Sequence, residues 1–351
     1  MHSITTIKDL ASALGVSPST ISKALGNSPE ISLKTKERVR ETAKALGYVP
    51  NHYARSLKSK MTKTVGVVVP NVIDDFFAKV LHGIEKEASE HGFTVQITFS
   101  NDQKKSEYDN LLGLINRSVD GILISFSKET QKTSNYREMR KIMTYNKPIV
   151  MFDRINKEIP LDSVTIDDFA GAFKATKYLS DSGCRRIAFL SPLSNTSVGR
   201  SRKEGYISAL RHKKKNGMSP LCIEIGNYEN FRTLFANSMR EHTPDGILAA
   251  DELSAIYALN TLQQIGYKVP QDISVIGFTN GPMAQSSNPS LSVISQHAEQ
   301  IGAKSFHLLR TRLVNPNGKI RNMVIDPGLI LRNSTKPLLL DDTKTYPPLG
   351  K

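Results

Sequence analysis

Cysteine is nearly missing from this chain: Cys184 and Cys222 are the two present in 351 residues. They lie far apart with no C-x-x-C spacing, so a disulfide framework is excluded and two free thiols in a reducing compartment are expected. No run approaches the roughly eighteen apolar residues of a membrane span. Lys8 and Asp9 interrupt the region where a secretory signal would need unbroken apolar residues. A cytoplasmic protein with no membrane partner is therefore expected. Catalytic fingerprints are also lacking: there is no G-x-S-x-G, H-E-x-x-H, G-x-x-x-x-G-K-[ST] or G-x-G-x-x-G. The eight histidines are scattered without metal-ligand spacing. The expectation is a non-enzyme with no catalytic residue, no cofactor and no metal.

What the chain has is positive charge, +14 overall, and it is unevenly spread. Residues 1–63 hold eleven Lys or Arg against four Asp or Glu, so +7 sits in less than a fifth of the length. A polyanion such as nucleic acid is the implied partner, and the front end is the part that meets it.

That front end reads as three short helices. In "TTIKDLASALG", Ile7, Leu10, Ala11 and Leu14 form one apolar face, Thr6 and Asp9 have capping-box spacing, and Gly15 closes the turn. Ser17 caps a second helix with Pro18 in its first position and Ile21, Ala24 and Leu25 inward, ending at Gly26-Asn27. Ser32 caps a third, with Val39, Ala43 and Leu46 inward and Gly47 stopping it. Two short helices joined by "GVS" suit a helix-turn-helix, though another small bundle has the same pattern. The second helix would expose Pro18, Ser19, Ser22 and Lys23, a small, hydroxylated face that can enter a major groove. The segment "HYARSLKSKMTK" has only about two helical turns, marginal alone in water, and reads equally as a basic linker or a hinge helix.

From Thr64 the pattern changes to short apolar runs, "TVGVVVP", "TVQITFS", "DGILISF", "KPIVMF", "RIAFLS", "DGILAA" and "ISVIGF", alternating with helix-length segments. Buried strands alternating with helices mean parallel sheets covered on both faces, here two doubly wound lobes with crossings near residues 160–164 and beyond Phe278. Ligands of such sheets bind beyond the carboxyl ends of the strands. That nominates Asn71, Asp74, Phe76 and Phe77, then Ser125 and Phe126, Asp153 and Arg154, Asp167, Ser197 and Arg202, Asp251, and Thr279 and Asn280. Rings, carboxylates and an arginine are how small polyols are held. A strand-end aspartate serves as well for a helix cap, and a lone phenylalanine for core. The basic run "RHKKKNG" at 211–217 reads as a helix end closed by Gly217.

The stretch from "TIKDLASALGVSPSTISKALGNSPEIS" to "SKMTKTVGVVVP" resembles the N-terminal signature of the LacI/GalR family of transcriptional regulators nearly position by position, and the rest to about residue 335 more loosely. The resemblance implies a helix-turn-helix domain over 1–50, a hinge over 51–63, an effector-binding and dimerisation domain similar to type I periplasmic sugar-binding proteins over 64–338, and a tail over 339–351. It implies that Pro18, Ser19 and Lys23 read bases and that Thr20, Ser22 and Asn27 contact or orient on phosphate. Leu57 would wedge into the minor groove of double-stranded operator DNA beside Ala54 and Arg55. Arg202 would anchor the ligand and Asp251 would be the aspartate of an Asn-Asp pair. Ala250 stands where that asparagine is common, and Thr279 in "GFTN" replaces a usual aspartate, so a differently arranged or acidic sugar fits no worse than a neutral hexose held in the familiar way. The expected protein is a repressor acting as a homodimer, controlled by a small-molecule effector, a sugar or sugar derivative. A regulator answering to a nucleobase and an enzyme with an appended DNA-binding head are the alternatives. The tail lacks sustained heptads, so no order above a dimer is expected.

Overall fold

The computed structural model describes residues 5–48, 61–73, 75–133, 135–212, 219–226 and 228–338. They fall into two compact units, Met1–Thr62 and Lys63–Lys351.

The first unit holds α1 (Ile7–Leu14), α2 (Pro18–Leu25) and α3 (Leu33–Ala45). Thr6 and Asp9 cap α1 reciprocally: the Asp9 amide donates to the Thr6 hydroxyl at 3.4 Å, and the Thr6 amide donates to Asp9 Oδ2 at 2.7 Å. Hydrogen bonds from the Thr6 backbone and side chain hold the Asp9 carboxyl below the usual carboxylate range. Ser17 caps α2, accepting from the Thr20 amide at 3.1 Å, and Pro18 occupies the first turn where no N–H is needed. Gly15 turns the chain between them at φ 63°, a conformation that costs any other residue strain. Leu10, Ile21, Ala24 and Val39 form the shared core.

Leu25 is half-buried and packs against this core. One expected core residue sits elsewhere: Leu46 is 43% exposed because α3 ends at Ala45 and the chain turns away through Gly47. Lys36 of α3 is buried along its aliphatic stem, and its Nζ reaches the Asn27 carbonyl at 3.4 Å.

The second unit begins with β1 (Thr64–Val69), α4 (Asp75–Glu90), β2 (Thr94–Phe99), α5 (Lys104–Asn116), β3 (Gly121–Ile124), α6 (Lys128–Thr133), α7 (Arg137–Met143), β4 (Ile149–Phe152) and β5 (Asp162–Ile166). It continues with α8 (Asp168–Asp181), β6 (Ile187–Ser191), α9 (Ser197–His212), β7 (Leu221–Glu224), α10 (Phe231–His242), β8 (Gly246–Ala249), α11 (Glu252–Gln264), β9 (Ser274–Phe278) and α12 (Pro282–Ser286). Then come β10 (Ser292–Ser295), α13 (Ala298–Val314), β11 (Asn322–Ile325) and β12 (Gly328–Ile330).

The strands form two sheets, β11-β5-β4-β3-β1-β2 and β12-β10-β9-β8-β6-β7, one per lobe. All neighbours are parallel except β10 and β12. In the first sheet Val67 stands opposite Ile97 on one side and Leu123 on the other. Order reverses beside β1 and beside β6, and these reversals open a crevice at the carboxyl ends.

The expected crossing at 160–164 is corrected: that stretch runs into β5, and the chain changes lobes after it, between Ile166 and α8. Asp162 and Ser163 give β5 a polar start that reads as loop. Asp162 is buried there because Arg312 of α13 grips both carboxylate oxygens, at 2.8 and 2.7 Å. Two more crossings follow, from β10 to α13 and from β11 to β12. The run "TVQITFS" is an edge strand rather than a buried one, with Ile97 and Phe99 each 40% exposed. α9 ends at His212 with Arg211 in its last turn, and the rest of the basic run to Gly217 lies outside the described residues. Among the described residues no helix is long and apolar enough to cross a membrane.

The third segment returns to the first lobe through a close approach of helices. A Cβ added to Gly302 of α13 would stand 2.0 Å from the Val80 carbonyl of α4. Gly302→Val is therefore expected to push α13 outward and cost about 1–3 kcal/mol. Gly113→Ala, where an added Cβ meets nothing within 4 Å, is expected to stabilise by about 0.5–1 kcal/mol. Urea unfolding of the two variants measures both.

Candidate functional site

In the first unit, α2 turns Pro18 and Ser19 fully outward, with Ser22 and Lys23 half-buried beside them and Asn27 exposed past its end. Thr20 Oγ1 is hydrogen-bonded to the capping Ser17 hydroxyl at 2.9 Å, so Thr20 serves the helix start as well as the surface. The Lys23 ammonium is paired with Glu30. The outward face is short-chained and shallow, with Lys23 as its long cation. Ala54, Arg55, Leu57 and Asp74 lie outside the described residues.

In the second unit a cavity of about 200 Å³ opens where the carboxyl ends of the two sheets meet. The first lobe contributes Asn71 after β1, Phe76 and Phe77 from the first turn of α4, Asp102 after β2, Lys128 at the start of α6, and Asp153 and Arg154 after β4. The second contributes Arg202 from α9, Tyr228 after β7, Asp251 and Glu252 at the start of α11, Thr279 after β9 and Gln296 after β10.

The two arginines are fixed before any ligand arrives. Arg154 Nη1 meets Asp102 Oδ1 at 2.6 Å, and its guanidinium lies 5.6 Å from the Phe77 ring centroid. The Lys128 amide donates to the same Asp102 oxygen at 2.9 Å. Arg202 is buried, its Nε 2.7 Å from Asp168 Oδ1, its Nη1 donating to the Ala250 carbonyl, and its guanidinium 4.0 Å from the Phe278 ring centroid. Burial pushes the Asp168 carboxyl up, and the Arg202 charge and hydrogen bond pull it down. Phe76 and Phe77 stand edge to face at 5.1 Å, an apolar wall opposite the charges. Asp153 and Thr279 have φ of 56° and 77°. Conformations this unusual for side-chain-bearing residues hold their polar groups in place. Thr279 Oγ1 donates to Gln296 Oε1 at 2.5 Å, and Asp251 accepts from Tyr228 at 3.1 Å while capping α11 through the Ser254 amide at 2.7 Å.

Several nominated residues are not brought into this cavity. Ser125 is buried beneath it, 3.4 Å from Asp153 Oδ2, and Phe126 is core against Tyr136. Asp167 is a helix cap, accepting from the Ala170 amide at 2.9 Å, and lines a separate cavity with Ser197. Ser197 ties the lobes together: its amide donates to Gln131 Oε1 at 2.9 Å, and its hydroxyl takes Gln131 Nε2 at 3.1 Å. Asn280 accepts Lys79 Nζ at its carbonyl, 2.7 Å away, beside a neighbouring cavity. The strand-end rule reaches Asp102 after "TVQITFS". Tyr228 and Gln296 follow β7 and β10, strands too short and mixed to stand out.

Two family models match the chain: Bacterial regulatory proteins, lacI family, over residues 6–51, and Periplasmic binding protein-like domain over 176–335. The HTH-type transcriptional repressor CytR of Escherichia coli (strain K12) is 31% identical over 340 residues, covering 95% of this chain and 97% of that one. The chain belongs to the LacI family. Another LacI-family relative, the ribose operon repressor of Haemophilus influenzae (strain ATCC 51907 / DSM 11121 / KW20 / Rd), is 29% identical over 335 residues, covering 94% and 98%. The crystal structure of the Lac repressor dimer bound to operator and the anti-inducer ONPF superposes with TM-score 0.85 at 21% identity, covering 95% of this chain and 100% of that one. It shares the fold described above.

The Gln131–Ser197 pair gives this LacI-family chain a contact between lobes that can be read directly. Gln131→Ala should speed hydrogen exchange of the Ser197 amide about tenfold or more, since its acceptor is removed. The Gly199 amide, held by Thr196 Oγ1 at 3.0 Å, should be unchanged.

Proposed function

We propose that the protein is a transcriptional repressor that reads a two-fold symmetric operator as a homodimer, controlled by a small neutral polyhydroxylated ligand in the interlobe cleft. The observation that carries the ligand class is the charge balance of the wall. Each cation is already faced by a carboxylate, Arg154 and Lys128 by Asp102 and Arg202 by Asp168. An anionic ligand would have to compete with these carboxylates, and parting a buried pair is costly. A sugar or sugar derivative can instead use spare N–H groups for its hydroxyls and the Phe76 and Phe77 rings for its apolar face. The cavity, about 200 Å³, lies below the roughly 300–1,000 Å³ of drug-sized clefts and suits one or two rings. The names of both relatives, each a repressor and one of a ribose operon, agree with this reading.

The head supports operator reading by Pro18, Ser19 and Lys23, with Thr20, Ser22 and Asn27 toward phosphate. The resemblance assigns the minor groove to Ala54, Arg55 and Leu57. A homodimer is supported by the exposed Ile97 and Phe99 of edge strand β2, an apolar surface a second copy would cover, and by the dimeric operator-bound Lac repressor of the same fold. A nucleobase is the second reading for the cleft, favoured by the Tyr228 ring in its wall, which is held 5.3 Å from the ring of Tyr257.

The test is recovery of DNA fragments retained by the full chain, followed by titration of the motif they share. Wild type should enrich a two-fold symmetric motif and lose affinity with a log–log salt slope of about −0.9 per phosphate contact. Lys23→Ala should relax preference at one position of each half-site, by about 1–3 kcal/mol of discrimination. Leu57→Ala should weaken operator retention and spare ligand binding. Fragments with no shared motif would overturn the operator reading.

A further inference from the structure

Among the buried acceptor atoms of the residues that line the cleft, one is left over. Glu252, the first residue of α11, is 1% exposed. Its Oε1 accepts from the Ala284 amide at 3.1 Å, which fixes the direction of the carboxylate. Its Oε2 is buried and has no hydrogen-bond partner among the described residues. The carboxylate packs against Gly281, where an added Cβ would stand 2.3 Å and 2.5 Å from its two oxygens, so the loop leaves room for this group. A buried oxygen without a donor is costly, and native proteins tolerate it where a partner arrives later. The other acceptors in the wall are already served. Asp102 takes Arg154 and Lys128, Asp251 takes Tyr228 and Ser254, Asp153 takes Ser125, and Gln296 takes Thr279.

We propose that Glu252 is a specificity-determining residue of the cleft, its ionised Oε2 accepting a hydrogen bond from an O–H or N–H of the bound ligand. This rests on the reading of the cleft as a site for a neutral hydroxylated ligand. It selects, within that class, ligands that present a donor at the α11 end, and it rejects analogues in which that hydroxyl is removed or replaced by an acceptor.

The charged groups facing Glu252 are Asp75 and Lys79 of α4 in the opposite lobe, themselves paired at 2.6 Å, and Asp251 beside it on its own element. Burial, followed by the Asp75 charge, pushes the Glu252 carboxyl up, against the amides of Ala284 and Gly281 and the Lys79 charge. Protonation would place an O–H at Oε2, because Oε1 must keep accepting from Ala284. The charge-assisted bond would then be lost: a ligand N–H would meet a second donor, and a ligand hydroxyl could bond only as a neutral partner. Ligand affinity should accordingly fall as pH drops through the raised Glu252 range, above the pH at which an ordinary glutamate titrates.

Glu252→Gln tests this with almost no change of shape. The amide oxygen must face the Ala284 amide, so the NH₂ takes the place of Oε2 and presents a donor to the ligand's donor. Calorimetry on the full chain with D-ribose, D-xylose, D-glucose, uridine and adenosine identifies the tightest probe for the wild type. Glu252→Gln should weaken that probe roughly tenfold to a hundredfold, remove the pH dependence, and leave the unliganded melting temperature undiminished. Unchanged affinity in the variant would overturn the role of Glu252 and leave the cleft reading standing. If the wild type binds no member of the panel, the neutral-ligand reading falls and Glu252 with it. Should the variant fail to fold, the wild-type pH profile alone decides: affinity that is flat or rises on acidification overturns the proposal.

Discussion

Two parallel sheets that meet at their carboxyl ends are the constraint on which the second unit depends. Parallel strands need long crossovers, here helical except from β4 to β5 and from β11 to β12, so most strand ends deliver a loop and a helix start to the same edge. Three passages of the chain between lobes bring those two edges together. The cleft groups are drawn from segments as distant as Asn71 and Gln296, yet most of them lie just past the carboxyl end of a strand or at the start of the helix that follows. The close approach of Gly302 to Val80 locks the returning α13 against the first lobe, which keeps the second passage from becoming a loose strap.

The cleft's chemistry follows from how it spends its charges. Arg154 and Arg202 are held on carboxylates and stacked on phenyl rings, so both are preorganised and neither is free as an ion for a ligand acid. Arg202 also supports Asp168 at the start of α8, and its removal would strand a buried carboxylate. Its substitution therefore mixes any change in the cleft with a cost of roughly 3–5 kcal/mol in folding. The cleft and the lobe crossing share a residue, a physical route by which occupancy of the cleft would bias the arrangement of the lobes.

Much of this was legible in the sequence where local rules dominate. Thr6-Asp9, Ser17-Pro18 and Gly15 mark helix ends because capping is satisfied within a few residues, and long apolar runs such as "TVGVVVP" mark central strands because both faces are covered. What escaped depends on partners distant in the chain. β5 begins with Asp162, which only Arg312, far along the sequence, makes acceptable in a strand. Leu46 has the right spacing for the core, but helix α3 stops one residue early. Ser197 obeys the strand-end rule yet is taken by Gln131 of the other lobe. Tyr228 and Gln296 follow short strands whose pattern is too brief to signal, so the rule that would have found them had nothing to act on.

The central claim is that one molecule couples a small ligand to DNA reading, and linkage gives it a strict form. If ligand changes operator affinity by some factor, operator must change ligand affinity by the same factor. The most direct measurement is therefore calorimetric titration of the cleft ligand into the full chain with and without saturating operator duplex, beside operator titrations with and without ligand. Two equal factors are expected, each between about 5 and 150. Ligand affinity that is the same with and without operator would contradict the claim.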